Sequence, residues 1–285
     1  MTYFTHEKVT DRITRIRDVS GVCMYLVEGS EKCALIDTGV GFGDLHSYVM
    51  GMIEKEPIVI VTHGHVDHAM GAGAFREVYI TPGDEAIYHA HSAVAERIGY
   101  TMGSGISGGH PELLQGATEE QWQQTKPWEE FEYLKIGDIF DLGGIHLEVC
   151  PGGGHTLGCV TILIPEEKML FLGDAANDFT FLFDISGGKN CLTLTQYREN
   201  LQELNKTVSG RYERCMFFHG PGEGPVTMVD GVIALIGEIL EGKDDALPFA
   251  GMGRNDLKLA KAIDFSRMCR ADGGIGNLVY DPALK

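Results

Sequence analysis

The segment Thr62-His63-Gly64-His65-Val66-Asp67-His68 constrains this chain more than any other stretch. Three imidazoles and one carboxylate fall within six residues, directly after the apolar run Ile58-Val59-Ile60-Val61. A buried strand gives such a loop a rigid base, and the loop beyond it can turn several side chains towards one point. Imidazole nitrogen and carboxylate oxygen suit zinc, iron or manganese, and the absence of cysteine argues against a soft thiolate site. Gly64 leaves no side chain between two candidate ligands, so they can converge. Ala69, Gly71, Ala72, Gly73 and Ala74 keep the following segment small, so that backbone can pack close behind. A lone histidine is usually a satisfied core or surface residue; four ligand types at H-x-H-x-D-H spacing point to a metal.

The flanking pattern is α/β. Residues 13–17 alternate as a half-buried strand does, and residues 22–28 and 33–36 read as a hairpin across Gly29-Ser30-Glu31-Lys32. Residues 44–53 read as a helix and 58–62 as a strand. Residues 84–97 read as a helix with Asp84 as N-cap. From 99 to 135 the pattern dissolves into glycines and a polar stretch with Trp122 and Trp128, which predicts an inserted lid. Strands follow at 145–150, 159–164 and 168–172, helices at 194–204 and 226–240, and a strand at 214–218 between them. The tail from Gly242 reads as irregular, with a helix at 255–263. The 285 residues are read as one domain, with 99–135 as the lid and 242–285 as a C-terminal extension.

Composition excludes several classes. Hydrophobic residues make up 44% of the chain, enough for a sizeable core, so it is not a disordered acidic protein. The net charge of −18 disfavours a protein that grips nucleic acid by neutralising its backbone. No apolar run approaches the ~18–20 residues of a membrane span. The first residues have no apolar core of a secretory signal. Seven cysteines without a Cys-x-x-Cys pair read as reduced, mostly buried thiols, and the expected location is the cytoplasm.

Four further elements carry a family resemblance. They are Asp37-Thr38-Gly39, Gly153-Gly154-His155-Thr156-Leu157-Gly158, Phe171-Leu172-Gly173-Asp174 and Phe217-Phe218-His219-Gly220. With the H-x-H-x-D-H loop they resemble, in order, the motifs of the metallo-β-lactamase-fold hydrolases, over roughly residues 10–225. The resemblance implies an α/β fold, a four-layer αββα sandwich. It implies two divalent ions, zinc first, with iron or manganese as alternatives. His63, His65 and His155 would hold one ion, Asp67, His68 and His219 the other, and Asp174 would bridge both. Asp67 and Asp174 would be the catalytic carboxylates, with Asp67 orienting a metal-bridging hydroxide. Two cations facing one oxygen lower its pKa enough to give hydroxide near neutral pH.

Within that family the complete ligand set resembles glyoxalase II-like thioesterases and lactonases. A cysteine-using β-lactamase would carry Cys where Asp174 stands, and the diiron oxygen-reducing relatives carry Glu where His65 stands. The expected substrate is a small-molecule ester, thioester or lactone. A small phosphodiester, or a non-catalytic metal-binding scaffold, remains the alternative. Residues 111–141 hold eight acidic residues and two lysines, a rim that would repel RNA. No nucleic-acid or membrane partner is expected; a homo-oligomer is left open. Lys258, Lys261, Arg267 and Arg270 do not align with a glutathione-binding cluster. Phe179, Phe181 and Phe183, together with Trp122, Trp128, Phe131, Tyr100 and Met102, are candidates to line the pocket, core packing being the competing role. His6, His46 and His146 read as structural or exposed, and His89 and His91 as surface residues. His110 is a weaker candidate proton donor.

Overall fold

A computed structural model describes residues 3–184, 190–266 and 269–285. Arg267 therefore lies outside the described residues. The chain divides into two compact units, one formed by residues 1–148 with 218–222, the other by 149–217 with 223–285.

The first unit is built on a seven-stranded sheet whose strands lie in sequence order. These are β1 Thr5–Lys8, β2 Ile13–Arg17, β3 Cys23–Glu28, β4 Cys33–Ile36, β5 Ile58–Ile60, β6 Val78–Ile80 and β7 Glu132–Tyr133. Neighbours from β1 to β4 run antiparallel, and β4 to β7 run parallel. Parallel neighbours need crossovers, and short helices supply them: α1 Leu45–Met50, α2 Val66–Ala69, α3 Glu85–His91 and α4 Val94–Gly103. Asp44 starts α1 by accepting the Ser47 N–H, and Leu45 and Val49 turn into the core. That core joins Ile16, Met24, Leu26 and Leu35 from the sheet to Met70, Tyr88, Trp128 and Phe131. In parallel sheets the carboxyl ends of the strands are where ligands bind. Here the ends of β4 and β5 deliver Asp37 and the histidine loop side by side, because Ile36 pairs with Ile60.

Strand β8 Ile139–Asp141 pairs antiparallel with the start of β9 His146–Pro151, which runs on into the second unit. There β10 Val160–Ile164 and β11 Met169–Phe171 form a hairpin, turned at Lys168 with φ +52°. Strand β12 Thr180–Leu182 and helix α5 Leu194–Val208 come next, then β13 Arg214–Met216, which pairs parallel with β11. Strand β14 Glu223–Gly224 and helix α6 Met228–Leu240 follow. Thr193 and Gln196 close a capping box at the start of α5. Its Leu194, Tyr197, Leu201, Leu204 and Val208 lie on one face and share a core with Val229, Val232 and Ile236 of α6 and with Leu170 and Cys215 of the sheet.

The tail is more ordered than the sequence suggested. Strands β15 Leu247–Gly251, β16 Arg254–Leu259 and β19 Leu278–Tyr280 join β12 in a four-stranded sheet, and β17 Ile263–Asp264 pairs with β18 Cys269–Arg270. The helix expected at 255–263 is thus replaced by strand. Leu257 and Leu259 are buried on either side of Lys258, a period of two that outweighs the helical propensity of the segment. The helix expected at 84–97 is two helices, broken where the Arg97 guanidinium bonds the Ser92 carbonyl. Residues 99–135 begin inside α4 and end just past β7, and Trp122, Trp128 and Phe131 are buried core residues. Among the described residues no helix is long and apolar enough to cross a membrane.

Six cysteines are buried and Cys269 is half-buried; none is disulfide-bonded. Burial raises the thiols of Cys23, Cys33 and Cys191 to about 11 and that of Cys215 to about 12. A thiol reagent at pH 8 is therefore expected to label about one cysteine quickly, Cys269, against seven after denaturation. Several fast thiols in the native protein would contradict this packing.

Candidate metal centre

The first unit places His63, His65, Asp67, His68 and His219 together. His63 lies three residues after β5, and α2 carries Asp67 and His68 on consecutive positions. The ring centroids of His63 lie 4.9 Å from those of His65 and 4.0 Å from those of His68. His219 arrives from far along the sequence. Its segment is fixed on β2 and β3: the Cys23 N–H donates to the Phe218 carbonyl at 2.7 Å, Tyr25 Oη to the Gly222 carbonyl at 2.9 Å, and Arg15 to the Pro221 carbonyl at 3.1 Å. This docking leaves His219 Nε2 3.4 Å from His68 Nε2 and 3.4 Å from Asp67 Oδ2. His68 Nε2 is 3.5 Å from the same carboxylate oxygen. One ligand atom from each of Asp67, His68 and His219 falls within 4.8 Å of the others, a spacing that could hold one ion. Two imidazoles and a carboxylate suit zinc, iron or manganese, so the residues present fit the implied cation.

The orientation of His68 is set by Asp37. Asp37 is fully buried, at φ +62°, in the turn after β4. Its Oδ1 accepts the Thr62 N–H at 2.6 Å, and its Oδ2 accepts the Thr62 hydroxyl at 2.7 Å. His68 Nδ1 lies 2.7 Å from Oδ2. A carboxylate can only accept, so Nδ1 carries the ring proton and Nε2 keeps the lone pair a cation needs. Burial pushes the Asp37 carboxyl above its ordinary range, opposed by the His68 ring and the Thr62 bonds. The adjacent turn is tied by Asp18, which accepts from Ser20 and from the Val40 N–H and whose carboxyl is likewise raised by burial.

The loop is also gripped from the helices that follow it. The Asp84 side chain does not cap α3; its Oδ2 accepts the Gly64 N–H at 2.8 Å. Gly64 is required for that approach, because a Cβ there would lie 2.9 Å from the Asp84 carbonyl oxygen. His91, expected at the surface, accepts the Val66 N–H on Nδ1 at 3.2 Å, and its ring lies 5.1 Å from that of His65. Tyr100 donates to Asp67 Oδ2. Met102 is exposed instead. His6, His46 and His110 bond Tyr48, Glu56 and Glu112 on the surface, His146 faces Asp141, and His89 is exposed beside Glu85.

In the second unit His155 and Asp174 lie close, Nε2 to Oδ2 3.6 Å. His155 donates from Nδ1 to the Phe181 carbonyl at 2.6 Å, which leaves Nε2 as its ligating nitrogen. Tyr197 of α5 supports both residues. Its ring fills the space a Gly154 side chain would need, and its hydroxyl donates to the carbonyl of Ala175. Burial raises the phenol well above its ordinary range. Phe179, Phe181 and Phe183 pack with Leu257, Leu259 and Phe249 beside β12. Lys258 and Lys261 lie in the tail, Lys261 paired to Glu238, and Arg270 is paired to Asp272.

Asp37→Ala would strip the buried His68 and Thr62 of their acceptor. The expected cost is ~3 kcal/mol of stability, typical of breaking a buried ion pair, with ~10–100-fold weaker metal binding. Denaturant unfolding and metal titration of the variant measure both; wild-type values for either would contradict the role given to Asp37.

The family model of the metallo-beta-lactamase superfamily matches residues 17–219, a span that holds every candidate ligand from His63 to His219. The human acyl-coenzyme A thioesterase MBLAC2 is 28% identical over 200 residues, covering 62% of this chain and 68% of that one. Among solved structures, a metallo-beta-lactamase from Pontibacter korlensis superposes with a TM-score of 0.55 at 20% identity, over 82% of this chain and 99% of that one. The sec-alkylsulfatase Pisa1 from Pseudomonas sp. gives a TM-score of 0.60 at 15% identity, over 83% of this chain and 42% of that one. These structures share the mixed α/β fold. The match over most of its length and the agreement in fold establish that this chain belongs to the metallo-beta-lactamase superfamily and is one of its hydrolases.

Proposed function

We propose that this protein is a two-metal hydrolase of acyl thioesters. The observation that carries the reading is the convergence of Asp67, His68 and His219, with the His68 proton held on Nδ1 by Asp37. In this reading His63, His65 and His155 hold a second ion, and Asp174 is shared between the two. The similarity to an acyl-coenzyme A thioesterase supports a thioester over an ester or lactone as substrate. It also favours carbonyl chemistry over phosphodiester cleavage. Divalent ions bound by these residues, zinc first, would act as Lewis acids and make water a nucleophile near neutral pH.

The chain's own groups supply the rest. His68, His155 and His219 present imidazole nitrogens, two of them with their other ring nitrogen already engaged, so little reorganisation is needed on binding. Asp67 is the carboxylate that would accept a hydrogen bond from the attacking water and hold it in line with the carbonyl carbon. The overall change forms a C–O bond and breaks the C–S bond, giving a carboxylate and a thiol. Thiolates are good leaving groups, so the demand is mainly for a positioned nucleophile and a stabilised oxyanion.

The test is metal analysis of the purified protein coupled to turnover of an acyl-CoA, an aryl ester, a lactone and a phosphodiester. The expected result is about two bound divalent ions and chelator-sensitive turnover highest on the thioester. Asp174→Ala is expected to lose metal and hydrolysis together, by more than the ~10–100-fold of an outer contact. Undiminished activity of Asp174→Ala would sink the two-metal assignment. Inactivity of the metal-loaded protein on all four substrates would favour a scaffold.

A further inference from the structure

Tyr100 has no part in the sequence motifs, yet its side chain bonds a candidate ligand within the first unit. Its Oη donates to Asp67 Oδ2 at 2.5 Å, as a hydrogen bond to a charged acceptor does. Oδ2 is also the oxygen that faces His68 Nε2 at 3.5 Å and His219 Nε2 at 3.4 Å. The phenol ring is half-buried and packs against two apolar clusters, one containing Met70 and Tyr88, the other Phe42 and Trp122. A phenol has only two side-chain torsions, so a ring held this way fixes its hydroxyl in space. The contact completes a series along α3 and α4: Asp84 holds the backbone at Gly64, His91 holds it at Val66, and Tyr100 holds the carboxylate of Asp67.

We propose that Tyr100 is the positioning residue for the ion held by Asp67, His68 and His219, fixing the Asp67 carboxylate so that Oδ2 presents one remaining lone pair to the cation. This rests on the two-metal reading above. The hydroxyl occupies one acceptor position on Oδ2 and blocks rotation of the carboxylate about its last torsion. It thereby favours a single-oxygen ligand over a bidentate one. In the two-metal reading Asp67, the residue that Tyr100 bonds, holds one of the two ions, so the effect is expected at that ion.

Tyr100→Phe removes the hydroxyl and keeps the ring in its packing. Zinc affinity is read by competition with a chromophoric chelator, on wild type and Y100F alike, with thermal unfolding of the metal-free proteins alongside. The expected result is one ion bound ~10–100-fold more weakly and the other unchanged, the usual loss on removing an outer partner of a ligand. The metal-free proteins are expected to melt alike. On the thioester substrate kcat is expected to fall at saturating zinc with KM little changed, as a residue that acts through Asp67 predicts. Two zinc affinities equal to those of wild type would overturn the proposal. So would an equal weakening of both ions, or a lowered melting point of metal-free Y100F, either of which would assign the hydroxyl to the fold. Wild-type protein that binds no zinc would instead sink the two-metal reading, and the proposal with it.

Discussion

The Asp37 carboxylate is buried without any exposed surface at the junction of two parallel strands, and the candidate ligands of the first unit are organised around it. It ties the end of β4 to the end of β5 through both the backbone and the hydroxyl of Thr62. It also turns His68 so that Nε2 faces Asp67 and His219. A buried carboxylate without partners would be expensive, and burial does raise its pKa. Three donors aimed at it offset that cost and couple strand register to ligand orientation. A slip of β4 against β5 would break the Thr62 bonds and misdirect the imidazole at once.

Tyrosines do comparable work in both units, each by a different end of the molecule. Tyr100 reaches a ligand side chain directly, whereas Tyr197 acts on backbone, lying against Gly154 next to His155 and bonding the residue after Asp174. Both sit on helices packed into apolar clusters, so their hydroxyls are placed by core packing. The placement of the candidate ligands therefore depends on side chains outside the candidate ligand set. Such pre-organisation limits the rearrangement needed when charge develops in a reaction.

The candidate ligands could be picked out from the sequence because they are concentrated: four fall in one loop, and the others sit beside glycines that mark tight turns. The Asp-Thr-Gly turn was legible as a motif, though its role as the partner of His68 needed the pairing of β4 with β5. Asp84, His91 and Tyr100 were not legible in their roles. Asp84 has the sequence context of an N-cap, and its carboxylate turns to Gly64 only because Gly64 has no Cβ to keep it away. His91 and Tyr100 are single residues on short helices, and nothing local says that those helices lie over the loop. The C-terminal sheet was missed for a related reason. Its strands are short and partly exposed, with a proline in β15, so their alternation is weak until β12 and β19 supply partners.

The acidity of the chain takes on a different meaning once the site is built. Asp18, Asp37, Asp67, Asp84 and Asp174 contribute to the net charge of −18, yet all are buried and committed to hydrogen bonds or candidate metal contacts. The most direct measurement of the central claim is the protonation of the His68 ring in the zinc-loaded protein, read by long-range proton–nitrogen NMR of the imidazoles. The expected result is a proton on Nδ1, shared with Asp37, and a metal-shifted Nε2. A proton on Nε2 with Nδ1 bare would contradict it.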